Sequence, residues 1–147
     1  MRYMLMMHAP RGNGDWGVMN WKPEELKAHI EFMTTFNKAL RTSGQLVGAE
    51  GLGMPAEARI VRATGGGAPA VTDGPYPEAK EFLAGYWIVD VASPEEAYAI
   101  AARASAAPGP GGAPLNMPIE VRQVMSGPPP VDWWRRSTPT PSACYGI

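Results

Sequence analysis

The order in which helical and strand-like segments follow one another constrains the fold of this chain more than any other feature. Apolar residues recur at helical spacing between Pro23 and Gly44, and again from Ser93 to a loop rich in glycine and proline at 107–114. The shorter apolar stretches predict strands, and these are 2–8, 45–50, 58–63, 70–73, 84–91 and 119–125. The predicted order is therefore β-α-β-β-β-β-α-β.

The first helix has clear signals at both ends. Pro23 suits the first turn, two glutamates follow it, and Gly44 is typical of a helix stop. The apolar face is expected to comprise Leu26, Ile30, Met33, Phe36 and Leu40. His29 and Asn37 fall within the same arc, and polar side chains on a buried face need partners. Either they are satisfied inside the core, or this helix lines a cavity on the sheet.

The second helix begins with a serine cap at Ser93 and a proline at its first position. Its inner face is predicted to consist mostly of small side chains, so that the helix packs closely on the sheet. The residues of this face are Ala97, Ile100, Ala101 and Ala104.

Strands 58–63 and 70–73 flank a glycine-rich tip at 64–69, which predicts a hairpin added to a simpler core. Without the hairpin the order is βαββαβ, the ferredoxin-like arrangement of the α+β class, with two helices on one face of an antiparallel sheet. Met, Trp and Tyr fall on both faces of the strands. We therefore expect a second copy of the chain to cover the other face, giving a homodimer with its sheets face to face.

Composition and charge limit which classes of binding partner and which cellular compartment the sequence supports. The 147 residues suit one domain, predicted at 1–125, followed by a Pro-rich tail at 126–147. A net charge of -1 argues against nucleic acid, and no apolar run is long enough to span a membrane. Cys144 is the only cysteine, so a cytoplasmic location is expected. The two histidines and scattered acids lack metal-ligand spacing, and neither a metal nor a cofactor is predicted.

The stretch TDGPYPEAKEFLAGYWIVDV, residues 72–91, resembles the signature of the DGPF proteins, which belong to the YCII-related family. The matching positions are Asp73, Gly74, Pro75, Glu78, Lys80, Glu81, Leu83, Gly85 and Tyr86, and the departures are Tyr76, Pro77, Ala79 and Ala84. The resemblance extends over 1–125 and implies a ferredoxin-like, dimeric α+β barrel. It also implies a cofactor-independent lyase or isomerase acting on a small cyclic or aromatic substrate, with a histidine and an aspartate in a cleft.

A general base that works near neutral pH is most simply a histidine, and the chain has two, His8 and His29. YCII-type relatives place a histidine in the first helix, and His29 is similar in context. Three roles are open for Asp73: it orients an imidazole, it acts as a base itself if burial raises its pKa, or it only forms its turn, since Asp-Gly-Pro is a good turn sequence. The candidates for substrate binding are Glu50, Lys80 and Arg122.

Three functions stay open at this point. The first is the enzyme described above, with His29 or His8 acting with Asp73. The second is a non-catalytic dimer that binds a small ligand or acts as a regulator, since family members are sometimes linked to sigma-factor signalling. The third is a structural dimer in which the signature serves folding and assembly.

Overall fold

A four-stranded antiparallel sheet forms the centre of the protein. The structure, a computed structural model, describes residues 1–10, 17–74, 79–128 and 130–132. The main elements are β1 (Arg2–Pro10), α1 (Pro23–Thr42), β2 (Leu46–Gly51), β3 (Arg59–Arg62), β4 (Ala70–Asp73), β5 (Glu81–Asp90), α2 (Pro94–Ser105) and β6 (Ile119–Gln123).

The strand order is β2-β5-β1-β6, and every neighbouring pair is antiparallel. Strands β3 and β4 form a separate two-stranded hairpin. With the hairpin set aside, the chain is a ferredoxin-like βαββαβ unit. The predicted α+β class and the predicted role of the hairpin as an addition are confirmed.

Helix α1 begins and ends where the sequence indicates. The Glu25 side chain accepts a hydrogen bond from the backbone N–H of Lys22 at 3.0 Å, and Pro23 follows in the first turn. At the other end Gly44 has a φ of 77°, and the N–H of Gln45 donates to the Leu40 carbonyl at 3.0 Å. This is the Schellman arrangement, in which glycine supplies the left-handed conformation that ends a helix.

Both helices pack on one face of the sheet. Leu5 and Val89 on the central strands are fully buried there, as is Leu40 of α1. The predicted inner face of α2 is confirmed, because all of its members are buried: Ala97, Ile100, Ala101 and Ala104. On α1 the predicted face is partly wrong, since Leu26 and Ile30 are 36% and 54% exposed. The helix is turned so that its buried residues are His29, Phe36 and Leu40.

The opposite face of the sheet, which we call the open face, is covered by no helix in the described part of the chain. Met4 and Met6 of β1 project from it beside Tyr86 and Ile88 of β5, and all four are half-buried. An apolar strip thus runs along the two central strands.

β1 and β5 have an irregular register next to both cavities described below. Met7 pairs with Gly85 but His8 pairs with Leu83, so Ala84 is an extra residue in β5. Such a bulge redirects the side chains around it and is common next to functional sites.

Several predictions concern residues outside the described ranges. These are residues 75–78 of the signature and, in the Pro-rich tail, residues 129 and 133–147, which include Cys144. The boundary predicted at residue 125 stays a prediction. Among the described residues, no helix is both long and apolar enough to cross a membrane.

Candidate functional site

Two separate cavities contain the two histidines. The first, which we call the inner cavity, has a volume of about 260 Å³ and lies between α1 and the sheet. Helix α1 contributes His29, Met33 and Asn37 to it, and the sheet contributes Met7 and Trp87 among others. The geometry agrees with both alternatives, because α1 lines a cavity on the sheet and both His29 and Asn37 have hydrogen-bond partners within the fold.

His29 is 9% exposed and is oriented by the backbone of another segment. Its Nδ1 lies 2.9 Å from the carbonyl oxygen of Pro108, in the loop that follows α2. A carbonyl can only accept, so the neutral ring carries its proton on Nδ1 and keeps a lone pair on Nε2. Trp21 contacts the ring edge-on, with 5.4 Å between ring centroids. The structure therefore presents His29 as a hydrogen-bond acceptor or a base at Nε2.

Asn37 is oriented in the same way. Trp87 donates its indole N–H to the Asn37 side-chain oxygen at 2.8 Å. This fixes the amide so that its NH₂ group points away from the indole and keeps two donors. The inner cavity thus combines an acceptor nitrogen on His29 with hydrogen-bond donors on Asn37.

Gly85 allows β2 to approach β5 closely at the wall of the inner cavity. A Cβ atom on Gly85 would lie only 2.9 Å from the backbone oxygen of Glu50. Glu50 itself lines this cavity, although its side chain is exposed. The glycine that matches the family signature therefore has a steric role.

The second cavity, which we call the outer cavity, has a volume of about 590 Å³ and includes His8. His8 Nε2 lies 3.1 Å from a carboxylate oxygen of Glu120, and the other oxygen of Glu120 lies 4.0 Å from Arg122 Nε. Met6 pairs with Glu120 and Met4 with Arg122, which places this ion-pair chain on the open face.

Glu120 was missed by reasoning from the sequence. The alternation of β6 puts Glu120 and Arg122 on one face, but their proximity to His8 depends on the pairing register of β1 with β6. Two more acids, Glu57 and Glu81, line the outer cavity. His8 is therefore partly exposed, and most of the charged side chains around it are carboxylates.

The structure pairs neither histidine with Asp73. The Asp73 side chain is 95% exposed and lies 3.6 Å from Arg59 Nε, directly across the hairpin. Lys80 is exposed as well. The roles predicted for Asp73, Lys80 and Arg122 stay predictions, and in the described chain the carboxylate partner of a histidine is Glu120.

Glu25 links the first turn of α1 to the loop that contains Pro108. One carboxylate oxygen accepts from Lys22 N–H and the other from Gly111 N–H, each at 3.0 Å. The Lys22 bond, and then the Gly111 bond, hold the pKa of the Glu25 carboxyl below its usual value. Within the described ranges no three His, Cys, Asp or Glu side chains are grouped closely enough to hold a metal ion.

A comparison with protein-family models shows to which family the chain belongs. The family model described as the YCII-related domain matches residues 1–112, from β1 into the loop 107–114, whose Pro108 carbonyl accepts the hydrogen bond from His29. The chain belongs to the YCII-related family. A search of curated proteins found no match. Both cavities of this YCII-related protein are built mainly from residues of the matched segment, whereas Glu120 and Arg122 lie beyond it.

Proposed function

We propose that this YCII-related protein is a cofactor-independent lyase or isomerase that moves a proton on a small cyclic or aromatic substrate, with His29 as the base. The observation that carries the proposal is the hydrogen bond from His29 Nδ1 to Pro108, which leaves the Nε2 lone pair for a ligand in the inner cavity. A base of this kind contributes about 10²–10⁴-fold to a proton transfer.

Asn37 supports the proposal from the same helix. When His29 takes a proton from carbon, the electron pair moves into the substrate and charge develops on an oxygen. The Asn37 NH₂ group, fixed by Trp87, can donate to that oxygen. His29 and Asn37 are eight residues apart, or about 12 Å along the axis. The two side chains thus enter the inner cavity from different turns of α1, so they can contact separate atoms of one conjugated ring.

The two reaction types differ in the second step. In an isomerase, the protonated His29 returns the proton to a different carbon of the same substrate. In a lyase, the electron pair left by the proton expels a leaving group on the neighbouring carbon, and a double bond forms. The small inner cavity and its largely apolar lining favour a monocyclic substrate.

His8 is the second candidate for the base, and the observation in its favour is the bond to Glu120. If His8 Nε2–H donates to that carboxylate, Nδ1 becomes the base and Glu120 stabilises the protonated ring. The outer cavity is larger and suits a larger ligand. His8 is less enclosed than His29, because 30% of its side chain is exposed.

The non-catalytic alternative uses the same cavities without a chemical step. In that case the dimer is a ligand-binding or regulatory protein, a small ligand binds in the inner cavity, and the polar groups of His29 and Asn37 only select it. The alternative differs from the enzyme in one observable, since binding then occurs without exchange of substrate protons with solvent.

We also propose a homodimer formed through the open face. The half-buried strip of Met4, Met6, Tyr86 and Ile88 supports this, since a sheet face with large apolar side chains is normally covered. A second copy of the same face brings a matching strip. His8 projects from that face too, so the outer cavity would lie beside the partner subunit.

A solvent-exchange assay tests the proposed function. A panel of cyclic ketones, unsaturated lactones and halogenated hydroquinones is incubated with the protein in D₂O, and deuterium incorporation or loss of halide is followed by NMR and ion analysis. The proposal expects at least one member to react in a protein-dependent way, and expects His29→Gln to remove that activity. Saturable binding of a panel member without reaction would favour the non-catalytic alternative.

A further inference from the structure

Helix α1 is attached to the loop 107–114 at two points one helical turn apart. His29 Nδ1 donates to the carbonyl oxygen of Pro108 at 2.9 Å. Four residues earlier, Glu25 accepts from the N–H of Gly111 at 3.0 Å. Within the described chain, these are the hydrogen bonds that join this loop to α1.

The loop is stiff enough for one attachment to influence the other. Gly109 N–H donates to the Ala113 carbonyl at 2.7 Å, and Leu115 N–H donates to the Ala107 carbonyl at 2.9 Å. These two bonds pair the backbone on either side of Pro108 with the backbone on either side of Pro114 as an isolated antiparallel bridge. Gly109 is packed so closely that a Cβ there would lie 2.5 Å from the side chain of Leu115. The loop therefore places the Pro108 carbonyl and the Gly111 N–H in a fixed relation.

We propose that Glu25 is a positioning residue for His29, because it holds the loop whose Pro108 carbonyl selects the Nδ1–H form of the imidazole. The inference rests on the proposed function, in which His29 Nε2 is the base. An imidazole can carry its neutral proton on either nitrogen, and the bond made by one nitrogen determines what the other can do. If the loop moves away, the proton is free to occupy Nε2. The lone pair is then on Nδ1, and Nε2 can no longer accept a proton from a ligand in the inner cavity.

A carboxylate suits this role better than a neutral side chain. It has two oxygens, and here one serves Lys22 and the other Gly111. Hydrogen bonds to a charged acceptor are stronger than neutral ones. Glu25 is the only described residue that bonds both the start of α1 and this loop, whereas the neighbouring Glu24 is exposed.

The test compares Glu25→Ala with Glu24→Ala, which removes the same charge from the same helical turn. Nitrogen-15 NMR reports which ring nitrogen of the neutral His29 carries the proton, and the pH is raised until the spectrum stops changing so that the neutral ring is the one observed. Hydrogen exchange of the Gly111 amide reports the attachment of the loop. We expect Glu25→Ala to raise that exchange rate about tenfold or more and to move His29 toward a mixture of both forms. Glu24→Ala should change neither.

A second variant alters the contact between Glu25 and Gly111 on the loop side. Gly111 has a φ of 68°, a conformation that is unfavourable for alanine. Gly111→Ala should therefore also loosen the attachment of the loop to α1 and change the proportion of the two neutral forms of His29. Gly65→Ala is its control, because Gly65 has a φ of 81° in the distant hairpin tip. If His29 keeps the Nδ1–H form in both Glu25→Ala and Gly111→Ala, the positioning role is refuted. These readouts need no substrate, so they are independent of whether His29→Gln abolishes exchange.

Discussion

Trp87 on the central strand β5 and Asn37 on helix α1 are joined by a hydrogen bond of 2.8 Å from the indole N–H to the amide oxygen. Trp87 is 3% exposed, so its N–H has little access to water and depends on Asn37. The same bond orients the Asn37 NH₂ group, and in our proposal that group donates to the substrate oxygen. One contact therefore serves both the core and the candidate site.

Two substitutions at Asn37 separate these roles. Asn37→Leu leaves the Trp87 N–H unsatisfied and should lower the free energy of unfolding by about 1–3 kcal/mol. Asn37→Asp keeps an acceptor for Trp87 but loses the NH₂ donors, and should reduce proton exchange on a reactive substrate by about 10²–10³-fold. Urea unfolding measures the first effect and the NMR exchange assay the second. Normal exchange in Asn37→Asp would exclude Asn37 as the donor to the substrate.

Gly85 should tolerate no side chain, because the atom it would meet belongs to the backbone. The Cβ of Gly85→Ala would lie 2.9 Å from the Glu50 carbonyl oxygen and force β2 away from β5. We expect a loss of about 1–3 kcal/mol in the free energy of unfolding. Gly48→Ala is the matched control, since Gly48 lies on β2 and a Cβ there would meet no atom within 4 Å. Equal stability of the two variants in urea would contradict this role for Gly85.

The open face provides a prediction about assembly. A lysine at Ile88 would place a charge in the centre of the proposed homodimer interface, so Ile88→Lys should be monomeric. Ile30→Lys is the control, because Ile30 is 54% exposed on helix α1, on the other side of the sheet. Light scattering coupled to gel filtration gives the mass of each variant. A monomeric parent protein, or a dimeric Ile88→Lys variant, would show that the copies do not meet through this face.

The attachment of the loop to Glu25 should depend on pH in a defined direction. The folded protein holds the pKa of Glu25 below its ordinary value of 4.5, first through the Lys22 N–H and then through the Gly111 N–H. The contribution of these bonds is therefore complete above pH 4.5 and is lost as the pH falls through the lowered folded value. Exchange of the Gly111 amide, corrected for its intrinsic pH dependence, should lose its protection in that acidic range. Protection unchanged in acid would mean that another group holds the loop.

Local signals in the sequence were sufficient for most of the fold. The Gly44 stop, the Pro23 start and the serine cap at Ser93 act within a few residues, so the ends of α1 and α2 could be predicted. The buried face of α1 could not be predicted as well, because Leu26 and Ile30 have helical spacing but the helix is rotated to bury His29. In this orientation His29 has a polar partner in the Pro108 carbonyl.

The candidate site could be predicted less completely than the fold, because it is formed by contacts between segments that are far apart in the sequence. His29 and Asn37 were identified from their place in an apolar arc, yet their partners lie 79 and 50 residues away along the chain. The same holds for His8 and Glu120, which are 112 residues apart and meet only through strand register. Asp73 was singled out by a local turn signature, and in the described chain its neighbour is Arg59.

The assignment of the base is tested most directly by comparing His29→Gln with His8→Gln in the deuterium-exchange assay on one reactive substrate. We predict that His29→Gln lowers the exchange rate by about 10²–10⁴-fold, as expected for loss of a general base, while His8→Gln stays within about threefold of the parent protein. Circular dichroism and urea unfolding confirm that both variants are folded. Full exchange in His29→Gln, or its loss in His8→Gln alone, would contradict the account and move the chemistry to the outer cavity.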